Sequence, residues 1–91
     1  MGNSNSSSGE KIENVDDFIS KAIENNKVTV FSKTWCGYCS RAKNIFSAKG
    51  QAIHVVEIDS YQNGDEMQSK LGTRTKVRTV PQIFIDRQFI G

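Results

Sequence analysis

An apolar segment followed by a closely spaced pair of cysteines constrains the fold of this chain more than any other feature. Residues 28–31 (VTVF) are rich in β-branched side chains and predict a buried strand. The only two cysteines, Cys36 and Cys39, come next, and residues 53–58 predict a second strand. A helix between two such strands forms a β-α-β unit. We therefore expect Cys36 where the first strand ends and the helix begins.

Apolar residues at helical spacing predict three helices. The first has Asn14 as its N-cap and an apolar stripe made of Val15, Phe18, Ile19, Ala22 and Ile23. The second carries Cys39, Ala42, Ile45 and Phe46 on one face and ends at Gly50, a C-cap glycine. A shorter third helix is predicted over residues 65–71, stopped by Gly72.

The end of the chain predicts a hairpin. Residues 83–85 and 89–90 are short apolar strands, and Asp86-Arg87 between them forms the turn. With the two earlier strands they complete a sheet that helices cover. The sequence therefore predicts an α/β fold with a small mixed sheet.

Composition separates a tail from a single domain. The chain has 91 residues, enough for one small domain. Residues 1–12 are mainly Ser, Asn and Gly, so we predict a disordered tail there and a folded domain over residues 13–91. Gly2 begins a pattern for N-terminal myristoylation, but a plain flexible tail is the favoured interpretation. A single acyl chain would give only weak membrane contact.

Several classes of function are disfavoured. No apolar run approaches the length of a membrane span, and no secretory signal opens the chain, so a cytoplasmic location is the expectation. The formal net charge of +2 does not indicate a nucleic-acid partner. The default expectation is a monomer.

The spacing of the cysteines favours redox chemistry. A disulfide across two intervening residues closes a small ring, worth roughly 2 kcal/mol against about 3 for a fifteen-residue loop. The pair is therefore suited to opening and closing during a reaction. Positive charge at the helix N-terminus and on Lys33 should lower the pKa of Cys36. We expect Cys36 to attack and the less exposed Cys39 to resolve.

Two alternatives remain for the cysteine pair. They could be reduced residues at the edge of the core with no chemical role. A structural zinc site needs four ligands, and the chain adds only His54, which we expect at the surface, so zinc would require a second chain.

The stretch before the hairpin is basic and contains the only proline. Lys70, Arg74, Lys76 and Arg78 lie within nine residues and could steer an anionic substrate. Pro81 precedes an apolar strand, and its isomer cannot be assigned from the residues alone, although trans is favoured on that basis.

Taken together, these motifs over residues 13–91 resemble glutaredoxins, the small thioredoxin-fold oxidoreductases that use glutathione. The resemblance rests on residues 31–34 (FSKT), the C-G-Y-C motif at 36–39, the T-V-P motif at 79–81 and the closing F-I-G. It implies a thioredoxin-like fold with a four-stranded sheet. It also implies reduction of protein–glutathione mixed disulfides and of protein disulfides.

The resemblance also implies roles for individual residues. Cys36 would be the nucleophile and Cys39 the resolving thiol. Glutathione would be the co-substrate, with glutathionylated or disulfide-bonded proteins as partners. Lys33 and Gln68 would hold the glycine carboxylate, and Tyr38 would flank the bound sulfur. Pro81 would be cis, and Thr79-Val80 would present backbone to the tripeptide like an added strand.

The resemblance leaves two alternatives and one expectation. Gly37 stands where many members have proline, and such motifs are associated with dimers that share a [2Fe-2S] cluster through the first cysteine, here Cys36, and glutathione. Trp35-Cys36-Gly37 is also thioredoxin-like, although Tyr38 disfavours that family. Members continue past the position of Gly91 with a further helix, so this chain is expected to be incomplete, and unstable or weakly active as it stands.

Overall fold

The computed structural model describes residues 9–91 and forms one mixed sheet with helices on its faces. Its elements are α1 (Val15–Glu24), β1 (Val28–Ser32), α2 (Gly37–Ala48), β2 (His54–Glu57), a 3₁₀ turn (Ile58–Ser60), α3 (Gly64–Thr75), β3 (Gln82–Ile85) and β4 (Gln88–Phe89). The strand order is β2-β1-β3-β4. The β1 strand pairs parallel with β2 and antiparallel with β3, so the predicted mixed α/β fold is confirmed.

The start of α1 follows its local signals. The Asn14 side chain accepts a hydrogen bond from the Asp17 N–H at 3.0 Å, which satisfies one of the orphan donors of the first turn. The predicted apolar stripe faces the sheet, with Phe18 as its one partly exposed member. Asn25 caps the other end, where its N–H donates to the Lys21 carbonyl.

The core lies between one face of the sheet and the pair α1 and α3. Phe31 at its centre makes an edge-to-face contact with Phe84, with ring centroids 5.8 Å apart. The buried cluster consists of Val15, Ile19, Ala22, Ile23, Phe31, Val56, Ile58, Met67, Leu71 and Phe84. Every residue of β1 is buried, as predicted for a central strand.

The ends of α2 are both set by local chemistry. Cys36 is its N-cap, which confirms the predicted junction of strand and helix. At the other end Gly50 adopts a φ of +70°, and Gln51 and Gly50 donate to the carbonyls of Phe46 and Ser47. These two bonds form a Schellman motif, which favours glycine at that position because a side chain disfavours positive φ.

The predicted apolar stripe of α2 is buried only at its N-terminal end. Cys39 is fully buried, whereas Ile45 is 52% exposed. Lys43 of α2 pairs with Glu57, which alternates along β2 with the core residue Val56. Among the described elements α2 therefore lies alone on its face of the sheet, and its outer side chains have little to pack against.

The prediction that Gly72 stops α3 is wrong. The helix continues to Thr75 and ends at Lys76, whose φ of 68° is left-handed and whose N–H donates to the Gly72 carbonyl at 2.8 Å. Leu71 is fully buried, and the Thr75 hydroxyl accepts a hydrogen bond from the Val77 N–H in the loop that follows. Tertiary contacts on this turn offset the roughly 1 kcal/mol that a helical glycine costs.

The C-terminal hairpin forms as predicted. Asp86 and Arg87 both have positive φ, at 50° and 70°, which defines a type I′ turn between β3 and β4. The Asp86 N–H also donates to the Lys27 carbonyl at 2.8 Å, which ties the turn to the start of β1.

Residues 9–12 are held against the domain, so the predicted disordered tail does not include them. Asn63 donates to the Ile12 carbonyl at 2.8 Å and accepts from the Ile12 N–H at 3.1 Å. Gln62 donates its side-chain N–H to the Gly9 carbonyl. Gly2 and the rest of residues 1–8 lie outside the described residues, so the myristoylation pattern stays a prediction.

No helix among residues 9–91 has the length and apolar character needed to cross a bilayer.

Candidate thiol site

Cys36 lies at the N-terminus of α2 with its sulfur directed at the first turn. Its Sγ accepts a hydrogen bond from the Cys39 N–H at 3.3 Å. The residue is partly exposed, and both cysteines are free thiols. Unpaired N–H groups and the helix dipole surround the sulfur with partial positive charge, which favours the thiolate.

The two thiols have opposite pKa shifts. The pKa of Cys36 is lowered, first by the hydrogen bond from the Cys39 side chain and then by the Cys39 and Tyr38 N–H groups. Burial raises the pKa of Cys39, which is fully enclosed. Lys33 also lowers the Cys36 pKa, as predicted, although it contributes least of these groups. The arrangement suits Cys36 to attack a disulfide while Cys39 stays protonated.

The loop before β3 brings a backbone carbonyl next to the nucleophile. The Val80 carbonyl oxygen lies 3.9 Å from the Cys36 Sγ. The Val80-Pro81 bond is cis, the isomer that the family resemblance implied. Thr79 is exposed, and its carbonyl accepts a hydrogen bond from the buried side chain of Gln82. The sequence analysis did not single out Gln82, although its alternation with Phe84 along β3 points it to the core face.

Lys33 and Gln68 line one groove beside the thiol. The groove has a volume of about 200 Å³, and its lining also includes Trp35 and Asp59. The Lys33 Nζ lies 5.5 Å from the centroid of the Trp35 ring, a cation–π distance. The two side chains that the resemblance assigned to one carboxylate are thus brought together at one surface.

Arg78 joins this surface, and its position was not predicted. The Gln68 side chain donates to the Arg78 carbonyl at 2.7 Å, and both residues line an adjoining concavity of about 220 Å³. By contrast, Lys70 pairs with Asp16 of α1 at 3.4 Å and Arg74 bonds to Ser20. The basic run is therefore divided, with Arg78 next to the groove and two of its other members directed at α1.

Asp59 holds the backbone just before the nucleophile. Its carboxylate accepts from the Thr34 N–H at 3.0 Å and from the Thr34 hydroxyl. Partial burial raises the pKa of the Asp59 carboxyl, but the Thr34 hydrogen bonds, the Asp59 N–H and the charge of Lys33 together outweigh it, so the net pKa lies below its ordinary value. No local pattern predicts this role for Asp59, because its partner lies 25 residues away in the chain.

Tyr38 lies in the first turn of α2, two residues after Cys36, and is 71% exposed. The Arg41 guanidinium lies 5.5 Å from the centroid of its ring. His54 is exposed, which confirms its predicted surface position.

The sequence of this chain matches one known protein family. The glutaredoxin family matches residues 28–90, which include both cysteines and the cis proline. The chain belongs to the glutaredoxin family. Glutaredoxin-2 of Schizosaccharomyces pombe is 46% identical over 74 residues, covering 81% of this chain and 67% of that protein. Mitochondrial glutaredoxin-2 of Bos taurus is 45% identical over 92 residues, covering 100% of this chain and 59% of that protein.

Solved glutaredoxin structures share the fold. A buckwheat glutaredoxin in complex with glutathione has a TM-score of 0.83 and 39% identity, and it covers 85% of this chain and 70% of that one. The thioredoxin-like fold implied by the resemblance is confirmed. This glutaredoxin spans about three fifths to two thirds of the length of the two relatives named above.

The described residues of one chain do not fit an iron–sulfur cluster. Residues 9–91 contain no group of three or more His, Cys, Asp or Glu side chains arranged around a metal site. Clusters of this type are held by four ligands, and Cys39 is buried with a raised pKa. The cluster-bridged dimer stays a prediction that needs ligands from outside this chain.

Proposed function

We propose that this glutaredoxin is a glutathione-dependent thiol–disulfide oxidoreductase that reduces mixed disulfides between glutathione and proteins. The observation that carries the proposal is the position of the Cys36 Sγ, which accepts the Cys39 N–H and lies 3.9 Å from the Val80 carbonyl. A thiolate at a helix N-terminus can attack a disulfide sulfur. The irregular backbone segment beside it can bind a peptide through main-chain hydrogen bonds.

Glutathione as the co-substrate is supported by the groove next to that sulfur. Lys33 and Gln68 offer a cation and an amide for the glycine carboxylate, and Arg78 adds a second cation. The backbone at Thr79 and Val80, just before β3, would pair with the tripeptide as a short added strand. The similarity to a glutaredoxin solved with glutathione agrees with this substrate.

The reaction proceeds by two thiol–disulfide exchanges. The Cys36 thiolate attacks the glutathione sulfur of the mixed disulfide, and a new Cys36–glutathione disulfide forms while the protein thiolate leaves and takes up a proton. A second glutathione thiolate then attacks the glutathione sulfur of this disulfide, releasing oxidised glutathione and the Cys36 thiolate. A low pKa helps Cys36 both as attacking group and as leaving group. With protein disulfides, Cys39 can close an internal disulfide instead.

Kinetics of two matched variants test the proposal. Cys36→Ser should abolish reduction of a glutathione mixed disulfide of 2-mercaptoethanol, measured with glutathione and glutathione reductase. Cys39→Ser should keep partial activity, because the second glutathione replaces the resolving thiol. Equal loss in both variants would contradict this route. Turnover with thioredoxin reductase and no glutathione would favour a thioredoxin-like reductase.

A further inference from the structure

Gln82 is a buried polar residue whose side-chain amide hydrogen bonds entirely within the protein. It is 1% exposed at the start of β3, on the same face as Phe84. Its Nε2 donates to the Val77 carbonyl at 2.6 Å and to the Thr79 carbonyl at 3.0 Å. Its Oε1 lies 3.0 Å from the Thr75 hydroxyl, which can donate to it. Both donors of the amide are therefore used, and both bond to one short loop.

That loop connects α3 to β3 and spans residues 76–81. Two of its carbonyls are held by Gln82, and the Thr75 hydroxyl accepts from the Val77 N–H at 3.2 Å. A third carbonyl, that of Arg78, is held by Gln68. The loop residues are not paired with a neighbouring strand. The side chains therefore supply hydrogen-bond partners for the loop backbone. In this backbone conformation of the loop, the Val80 carbonyl lies near Cys36.

We infer that Gln82 is the positioning residue for the glutathione-binding backbone of this chain, acting from beneath the loop without touching the ligand. This inference rests on the proposed function. It follows from the donor pattern: only a side chain with two N–H groups and one acceptor, at this depth, satisfies both carbonyls and Thr75 together. A leucine of similar size would leave the carbonyls unpaired, and a glutamate would place carboxylate oxygens against them.

The test uses the inert probe S-methylglutathione, whose binding needs no reaction at Cys36. Its affinity is measured by calorimetry for wild type, Gln82→Leu, Gln82→Glu and the control Gln88→Glu, which is exposed on β4. At about pH 7.5 both Gln82 variants should bind at least roughly tenfold more weakly, as expected for losing buried hydrogen bonds. The control should bind like wild type.

A pH shift separates positioning from general damage to the fold. In Gln82→Glu, burial raises the pKa of the new carboxyl, so at about pH 4.5 it protonates and regains one O–H donor. Affinity, compared with wild type at the same pH, should recover in part. Gln82→Leu has no group to titrate and should not recover.

The loop itself supplies a second readout. Trypsin cleavage after Lys76 and Arg78 should accelerate in both Gln82 variants and stay at the wild-type rate in Gln88→Glu. If circular dichroism shows that the Gln82 variants do not fold, Thr75→Val removes only the hydroxyl partner and should weaken binding several-fold.

The outcomes separate this inference from the proposed function. Wild-type affinity and trypsin resistance in both Gln82 variants would overturn the positioning role while leaving the proposed function intact. Failure of wild type to bind S-methylglutathione would overturn the proposed function and this inference together.

Discussion

The backbone N–H of Cys39 donates to the Sγ of Cys36 at 3.3 Å. A cysteine thus takes the N-cap position that Ser, Thr, Asp or Asn fill in most helices, and the capping acceptor is also the proposed nucleophile. The stability of the first turn of α2 and the ionisation of the sulfur are therefore linked, because the thiolate is the stronger acceptor. The Cys39 side chain lies in the same turn and is the first cause of the lowered Cys36 pKa.

Removing the Cys39 thiol should raise the pKa of Cys36. The Cys39 side chain makes the largest contribution to the lowered pKa of Cys36, so Cys39→Ala favours the protonated form and moves the ionisation to higher pH. The rate of iodoacetamide alkylation against pH measures the midpoint. Cys39→Ser is the matched control, since its hydroxyl still donates and should hold the midpoint lower than alanine does. An unchanged midpoint in Cys39→Ala would contradict this assignment.

Gly37→Pro should stabilise the fold. Gly37 is the first residue of α2, where proline is favoured, and the preceding Cys36 has the extended backbone that proline requires. A side chain built at Gly37 meets nothing within 4 Å. Urea unfolding should show a gain of about 0.4–1 kcal/mol, mostly from reduced freedom of the unfolded chain.

Gly64→Pro tests whether that gain depends on the site. Gly64 also begins a helix, α3, but a Cβ there would lie 2.3 Å from the Ile58 carbonyl oxygen. This variant should be destabilised. Destabilisation of Gly37→Pro by a similar amount would contradict the assignment of Gly37 to an unobstructed first position of α2.

Asp59→Asn should destabilise the protein in a pH-dependent way. Its carboxyl has a lowered pKa in the folded state, so its contribution is full above the ordinary value of 3.8 and is lost as pH falls below it. The loss at neutral pH should be small, about 0.5–1 kcal/mol, because the site is largely exposed. The difference from wild type in urea unfolding should shrink as the pH falls through this range. A constant difference would exclude the Thr34 bonds as its cause.

Lys33→Met should weaken glutathione binding more than it slows the chemistry. Lys33 lines the groove with Gln68 but contributes least to the lowered Cys36 pKa. The KM for the mixed disulfide should rise about 3- to 10-fold, with kcat little changed, as expected for one partly exposed charge. Lys49→Met, at the exposed end of α2, is the control and should match wild type. A fall in kcat alone would assign Lys33 to the reaction.

The parts of the site that the sequence could predict are those set by neighbouring residues. Cys36 at the start of α2 follows from the strand before it and the helical spacing after it, and the burial of Cys39 follows from its place on the apolar stripe. The I′ turn at Asp86-Arg87 and the positive φ of Gly50 likewise depend on a few adjacent residues. These signals are local, so a single sequence contains them.

The remaining features depend on residues that are distant in the chain. Asp59 finds Thr34 across 25 positions, and the burial of Leu71 carries α3 past a glycine that would end an isolated helix. The sequence by itself determined the order of helices and strands, the hairpin and the position of Cys36 at the start of α2, because capping and periodicity act within a few residues. Only the tertiary structure decided that Cys39 outweighs Lys33 in the ionisation of Cys36 and that Gln82 holds the loop beside it. Hydrogen bonding and burial depend on distances in three dimensions. For residues far apart in the chain, those distances are set by how the helices and strands pack.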